Sequence, residues 1–191
     1  QSSGFKYFKN YSPQEYNNQP QNWAVLQDKR GIIYLANQGG LMEFDGVSWR
    51  MLPVPNRVAR SMVIDDTSPN GTNGPNGTSG IIYIGGLNEI GFPAPDHTGR
   101  LQYISLRDRL PGDTPNFAEV FAAHRVDKHI YFQTETFLFR YDPAAGQMNS
   151  FEIDAPGNNS FTCGGKLYIN EPKSGLAVME DGEADGEHGE D

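Results

Sequence analysis

The sequence predicts an all-β protein, a β-propeller with about four recognisable four-stranded blades. One observation is a segment with an apolar-Tyr-apolar centre that recurs four times, as Ile33-Tyr34-Leu35, Ile82-Tyr83-Ile84, Ile130-Tyr131-Phe132 and Leu167-Tyr168-Ile169. Its tyrosines lie 49, 48 and 37 residues apart, and periods of about 40–50 residues with four strands each are typical of propeller blades. A second observation is that no segment shows helical periodicity beyond a turn or two.

The first unit, residues 23–52, shows the strand pattern most clearly. Strands are predicted at residues 24–27, 32–36, 41–44 and 49–52, joined by tight turns. The last turn contains Asp45-Gly46 between two apolar runs, which predicts a hairpin with a type I′ turn. Because a single blade cannot bury both of its faces, we expect the blades to pack side by side around an axis.

Three more units are predicted, at residues 61–104, 120–153 and 160–179. The first turn of the second unit is enlarged to residues 66–80, a Gly-, Asn-, Thr- and Pro-rich segment that we expect to be mobile. The fourth unit has three predicted strands and ends at an acidic tail, residues 180–191.

Residues 5–8 are aromatic and match an outer strand that has no blade of its own. If they complete the fourth unit, they close a four-bladed ring, since a strand contributed by one terminus removes an exposed edge. The chain could equally be the front of a larger ring. The strand count fits both arrangements.

The composition excludes several classes of function. The formal net charge of −9 is concentrated in the tail, which holds seven acidic residues and no lysine or arginine, so the nearly neutral remainder gives no indication of nucleic-acid binding. No stretch approaches the roughly 20 apolar residues of a membrane span. Cys163 is the only cysteine; it allows no internal disulfide and is predicted to be a core residue.

The residues predict no catalytic centre, cofactor or metal site. No serine lies in a Gly-x-Ser-x-Gly motif, and no phosphate-binding loop leads into a helix. His124 and His129 would be aimed differently by a strand and its turn, and the tail lacks the last ligand of a calcium loop. A propeller glycosidase or lyase that uses Glu43, Glu89 or Glu135 is the less favoured reading.

Successive strands of a blade are antiparallel, so the links after the second and fourth strands share one face. These links are longer and richer in Asn, Gln, Arg and aromatic residues, and we predict that this face binds a ligand. The candidate residues are Asn22, Trp23, Asn37, Gln38, Arg57, Arg60, Asn88, Glu89 and Glu135. The alternative is that each is a turn residue that satisfies its own backbone. Trp49 and the second-strand tyrosines are predicted to be core residues between blades.

Several motifs resemble the N-terminal opening of the two-component regulator propeller family. They are Tyr11-Ser-Pro-Gln-Glu-Tyr16, Gln21-Asn-Trp-Ala24, Gln27-Asp-Lys-Arg-Gly31, Leu41-Met-Glu-Phe-Asp-Gly46, Trp49-Arg50, Ile81-Tyr-Ile-Gly-Gly86, Glu89-Ile-Gly-Phe92 and Tyr131-Phe-Gln-Thr134. The resemblance covers roughly residues 5–179. It implies the periplasmic sensor region of a bacterial transmembrane regulator such as a sensor histidine kinase. In that family about seven blades precede a triple-tyrosine β-sandwich, a membrane span and a signalling output.

We therefore predict a non-enzymatic, extracytoplasmic ligand-sensing module of a bacterial signal-transduction regulator. By the resemblance it is the N-terminal part of a longer, inner-membrane sensor, and its blades belong to a larger ring of about seven blades instead of a closed four-bladed ring. Its expected partners are a small molecule or a glycan and the remainder of the sensor chain. The alternative is a protein-interaction scaffold whose exposed blade edges pair with another chain. An open arc of blades would leave two edges unpaired, so we also expect self-association.

Overall fold

The computed structural model describes residues 9–66, 80–112 and 116–179. Within these ranges the chain forms four antiparallel sheets in sequence order, three with four strands and the last with three. Each strand pairs with the next one along the chain, so every sheet is a simple meander. The predicted outer strand at residues 5–8, most of the enlarged turn and the acidic tail lie outside the described residues.

The four sheets are the four predicted blades. The first contains β1 (Asn22–Gln27), β2 (Ile33–Asn37), β3 (Gly40–Phe44) and β4 (Trp49–Leu52); the second contains β5 (Ala59–Asp65), β6 (Ile81–Gly86), β7 (Ile90–Pro95) and β8 (Leu101–Ser105). The third contains β9 (Ala122–Val126), β10 (His129–Gln133), β11 (Phe137–Asp142) and β12 (Gln147–Glu152); the fourth contains β13 (Ser160–Cys163), β14 (Lys166–Glu171) and β15 (Gly175–Met179). The predicted fold class is therefore confirmed.

Helical structure in the described ranges is limited to single turns. These are α1 (Pro13–Tyr16) and the 3₁₀ turns Pro55–Arg57 and Arg107–Arg109. A capping box holds α1: the Glu15 amide donates to the Ser12 hydroxyl, and the Ser12 amide donates to the Glu15 carboxylate. No helix in this part of the chain is long and apolar enough to cross a membrane.

The turn at Asp45-Gly46 forms where it was predicted, but it is not a type I′ turn. Phe44 pairs with Trp49, so four residues connect the two strands instead of two. Gly46 has a φ of 95°, whereas Asp45 does not have a positive φ. The Asp45 carboxylate accepts hydrogen bonds from the amides two and three residues later, at 2.9 and 2.7 Å. The bond from the Ser48 amide, followed by that from the Val47 amide, lowers the pKa of Asp45 to about 2.

Three hydrophobic clusters fill the spaces between successive blades. Tyr34 lies in the cluster between the first and second blades, Tyr83 in the next and Tyr131 in the third. All three side chains are buried, with at most 3% of their surface exposed. The repeated tyrosine therefore packs against the following blade, and it is a core residue as predicted.

Tyr168 has the same place in the fourth blade but is only partly buried. The Phe161 ring stacks on it, with 5.6 Å between centroids, and Val178 is its partner on the neighbouring strand. Phe161 and Val178 are 47% and 42% exposed. The prediction of a core residue is therefore wrong for Tyr168, because no further sheet of the described chain packs on this face.

Two other core predictions need correction. Trp49 does not pack between blades: its ring stacks on Phe44 at 4.4 Å between centroids. It also meets Tyr11 edge-on at 5.5 Å and a tilted Tyr16 ring at 5.6 Å. The segment around α1 thus covers Trp49.

Cys163 is exposed, because strand alternation puts it on the same open face as Phe161.

The first strands of the blades lie innermost. β1 contacts β5, β5 contacts β9 and β9 contacts β13, so four strands from four sheets follow one another around the axis. This arrangement is what brings residues far apart in the sequence to a common groove.

Candidate functional site

A groove of about 430 Å³ runs beside the first strands. We call it the axial groove, and its lining consists of residues 23–24, 60–62, 121–124, 158 and 160–162. These residues come from the first strands of all four blades or from the segments that lead into them. A second cleft, of about 330 Å³, lies at the outer part of the first two blades, between residues 41–52 and residues 99–101.

Two β-bulges place long side chains in the axial groove. Trp23 is the extra residue where β1 pairs with β2, and Arg60 is the extra residue where β5 pairs with β6. A bulged residue has no partner in the ladder, and the local kink changes the direction of its side chain. Two successive blades therefore present a large side chain to the groove from equivalent positions of the repeat.

The Arg60 guanidinium contacts two aromatic rings. Its central carbon is 4.9 Å from the centroid of the Trp23 ring and 5.5 Å from that of Phe121. Its Nε lies 3.4 Å from a Glu119 carboxylate oxygen, but it is shielded from solvent and makes no hydrogen bond within the described ranges. Two cation–π contacts restrain the position of the guanidinium.

A chain of hydrogen bonds holds another wall of the groove. The fully buried Gln133 amide nitrogen donates to the carbonyls of residues 134, 155 and 157, at 2.7 to 2.9 Å. Its amide oxygen accepts a hydrogen bond of 2.9 Å from the Ser160 hydroxyl. The Ser160 oxygen in turn lies 2.9 Å from Nε2 of His124. Because the serine proton is directed at Gln133, His124 must donate, which makes Nε2 its protonated nitrogen.

This geometry is not that of a catalytic Ser–His pair. A serine nucleophile needs a base that accepts its proton, whereas here His124 donates to Ser160. Burial lowers the pKa of His124, against a smaller raising effect of a hydrogen bond with the Ser160 main chain, and this favours the neutral ring. The three side chains therefore tie β13 to β9 and β10.

No protein-family model matches the chain, and no curated protein matches it in sequence. Among solved structures, the extracellular domain of the candidate hybrid two-component system BT4673 from B. thetaiotaomicron matches 83% of this chain and 20% of that one, with 19% identity and a TM-score of 0.56. The extracellular domain of BT3049, a second candidate hybrid system from that organism, matches 91% of this chain and 22% of that one, with 16% identity and a TM-score of 0.55. A streptogramin B lyase matches at a TM-score of 0.46 and 11% identity, too low to bear on activity.

The fold is that of a partial β-propeller. The chain spans about a fifth of the length of the two extracellular domains that it matches. The predicted resemblance to the sensor region of a two-component regulator is confirmed at the level of the fold, since these structural neighbours are extracellular domains of candidate two-component systems.

The propeller brings only Trp23 and Arg60, among the nine candidate residues, into the axial groove. Asn37 is fully buried, and its amide nitrogen donates to the Asn22 side chain and to the Gln19 carbonyl, both at 2.7 Å. These bonds order the loop that leads into β1, which is the alternative role considered for such residues.

Asn88 and Glu89 are also engaged inside the second blade and its link. Asn88 accepts hydrogen bonds from Arg107 through its main-chain and side-chain oxygens, and its amide donates to Asn116 at 2.7 Å. Glu89 is buried and accepts a 2.6 Å hydrogen bond from the Ser105 hydroxyl. Burial raises the pKa of Glu89 against the lowering effect of its hydrogen bonds.

Gln38, Arg57 and Glu135 are exposed on links between strands. The structure therefore distributes the candidates over several places, and a ligand-binding role for each stays a prediction. Sequence reasoning missed several residues of the groove and its rim: Phe121, Glu119, His124, Asn158 and Ser160. A signal was available, because Phe121 directly precedes the first strand of its blade, close to the repeat positions of Trp23 and Arg60.

Proposed function

We propose that the chain is the extracytoplasmic ligand-sensing module of a bacterial signal-transduction regulator and is not itself an enzyme. The observation that carries the proposal is Arg60, which two aromatic rings from different blades hold in place inside the axial groove. The shared fold with extracellular domains of two-component systems supports a location outside the cytoplasm and a place within a longer signalling chain.

The volume and lining of the groove suit one small ligand, such as a monosaccharide or a short glycan. Ligand sites commonly have volumes of about 300–1,000 Å³ and combine apolar walls with a few fixed polar groups. Trp23 and Phe121 provide aromatic surface, and Arg60 and Asn158 provide polar atoms.

Hydrolysis is not supported by the side chains in the groove. None of the described residues that line it is a carboxylate, whereas glycoside hydrolysis ordinarily needs two of them on opposite sides of the bond. The described residues also contain no group of three or more His, Cys, Asp and Glu side chains that could hold a metal ion.

A thermal-shift screen against small glycans and organic acids tests the proposal. A true ligand raises the melting temperature with a saturating dependence on its concentration. The Trp23→Leu variant should lose this response, while Val25→Ala, which alters an exposed residue of the same strand, should keep it. Turnover of any compound, or a screen without a saturating response, would contradict the proposal.

The open face of the fourth blade favours a second role, as a docking surface for another sheet. Phe161, Leu176 and Val178 are exposed there beside Tyr168. Among the described residues, β15 is the outermost strand of a sheet that has one strand fewer than the other three. The equivalent tyrosines of the other blades are each covered by the next blade. We propose that a further blade of the sensor covers this face, or a second copy when none is present.

A further inference from the structure

We propose that the axial groove recognises an anionic group of its ligand, a carboxylate or a sulfate, through the Arg60 guanidinium. This inference rests on the ligand-sensing function proposed above and names the chemistry of the ligand. Among the lining residues that the structure describes, Arg60 is the only lysine or arginine, and none is a carboxylate. The groove therefore offers one positive charge on an otherwise neutral lining.

The guanidinium is ordered before any ligand arrives. Trp23 and Phe121 lie 4.9 and 5.5 Å from its central carbon, and only 22% of the side-chain surface is exposed. Ordering a long side chain is part of the cost of binding, so a residue already held in place binds more tightly. A planar, ordered guanidinium matches the two oxygens of a carboxylate or a sulfate.

The counterion that Arg60 has in the chain is a poor one. Glu119 approaches Nε at 3.4 Å, which is longer than the roughly 2.7–2.9 Å of a charge-assisted hydrogen bond. The Nε atom is buried without a hydrogen bond in the described structure, and the Glu119 side chain is 38% exposed. A mostly buried charge gains from a closer partner, so a ligand anion that binds the guanidinium competes with Glu119.

Several polar groups around Arg60 already have hydrogen-bond partners within the protein. Ser61 donates its hydroxyl proton to the Val120 carbonyl at 2.9 Å, and the Ser160 proton is directed at Gln133. Nε2 of His124 is used in the bond to Ser160. Arg60 is thus the group that sets ligand preference, and neutral analogues should bind more weakly.

The two tryptophans of the chain provide the readout. Trp23 touches Arg60, while Trp49 lies in the aromatic cluster beside α1 and serves as an internal control. We would titrate the protein with D-glucuronate, D-glucose and sodium sulfate at constant ionic strength and follow the two indole N–H resonances by NMR. Glucuronate should shift the Trp23 resonance to saturation with at least about tenfold higher affinity than glucose, and Trp49 should not move.

Three variants separate the role of Arg60 from a general effect of charge. Arg60→Gln should abolish saturation, whereas Arg100→Gln, which alters an exposed arginine of the second blade, should not. Glu119→Gln removes the competing carboxylate and should raise glucuronate affinity about three- to fivefold, the scale of an exposed ion pair. A gain of affinity cannot arise from misfolding, so this variant keeps the test decisive.

Equal shifts with glucose and glucuronate would overturn the anion proposal and leave the sensing function standing. The anion proposal would also be overturned if neither glucuronate nor sulfate moved the Trp23 resonance while other compounds still gave saturating thermal shifts. A screen without any saturating response contradicts the sensing function itself, and the two failures can be told apart.

Discussion

Replacing Gln133 by leucine should loosen the attachment of the fourth blade to the third. Gln133 is completely buried at the end of β10. Its amide nitrogen reaches two carbonyls of the link between these blades, at residues 155 and 157, and its oxygen accepts from Ser160 at the start of β13. One side chain thus connects the third blade, the link and the fourth blade.

The size of the effect follows from the hydrogen bonds. The two amide protons are shared among three carbonyls, and the amide oxygen accepts one proton, which amounts to three hydrogen bonds. At about 1 kcal/mol net for each bond, the Gln133→Leu variant should lose about 3 kcal/mol of unfolding free energy. Leucine is close to glutamine in volume, so the cavity contribution should be small.

Urea denaturation followed by circular dichroism measures this loss. With an m-value of about 2 kcal/mol/M, the midpoint should fall by about 1.5 M. Gln102→Leu, which alters an exposed glutamine of β8, is the matched control and should change the unfolding free energy by less than about 0.5 kcal/mol. A fall of less than about 0.5 M for Gln133→Leu would show that the buried amide does not hold the blades together.

Three further predictions concern other parts of the fold. Burial raises the pKa of Glu89, so the protonated side chain stabilises the fold fully below the ordinary pKa of glutamate, and this stabilisation is lost as pH rises through the folded-state pKa. The urea midpoint of Glu89→Gln should therefore equal that of the wild type at acidic pH and exceed it near neutrality. Asp28 is buried and accepts bonds from Arg30, so Asp28→Ala should lower the unfolding free energy by about 3 kcal/mol in the same assay. Light scattering should show that the protein self-associates, and the double variant Phe161→Lys/Val178→Lys should reduce this self-association. A stable monomer of 21.2 kDa that unfolds when residues 1–9 are removed would contradict the open face of the fourth blade.

The blades could be predicted from the sequence because the residues that define them are close together in the chain and repeat. Tyr34, Tyr83 and Tyr131 occur at a regular period, and the same interface forms around each. Turn positions were also predictable, but turn geometry was not: Asp45 accepts bonds from two amides and opens a four-residue loop. Side-chain capping of that kind depends on distances that a dipeptide signal does not contain.

Only part of the axial groove could be predicted from the sequence. Trp23 and Arg60 were chosen for their residue type on a predicted face, but the bulges that aim them inward depend on strand register. Phe121 looked like an ordinary strand residue, and nothing local relates it to Arg60. Tyr168 was predicted to be buried because its sequence pattern matches that of the buried tyrosines. It is partly exposed because no neighbouring sheet in the described chain covers it.

The location of Arg60 links ligand binding to the packing of the blades. Trp23 belongs to the first blade, Arg60 to the second, and Phe121 leads into the third. The interfaces around Tyr34 and Tyr83 set the distances among these side chains. By linkage, a ligand that binds this arrangement stabilises it against any other spacing of the three blades. If the proposed function is correct, binding at the axis would tighten the packing between blades without the movement of a loop.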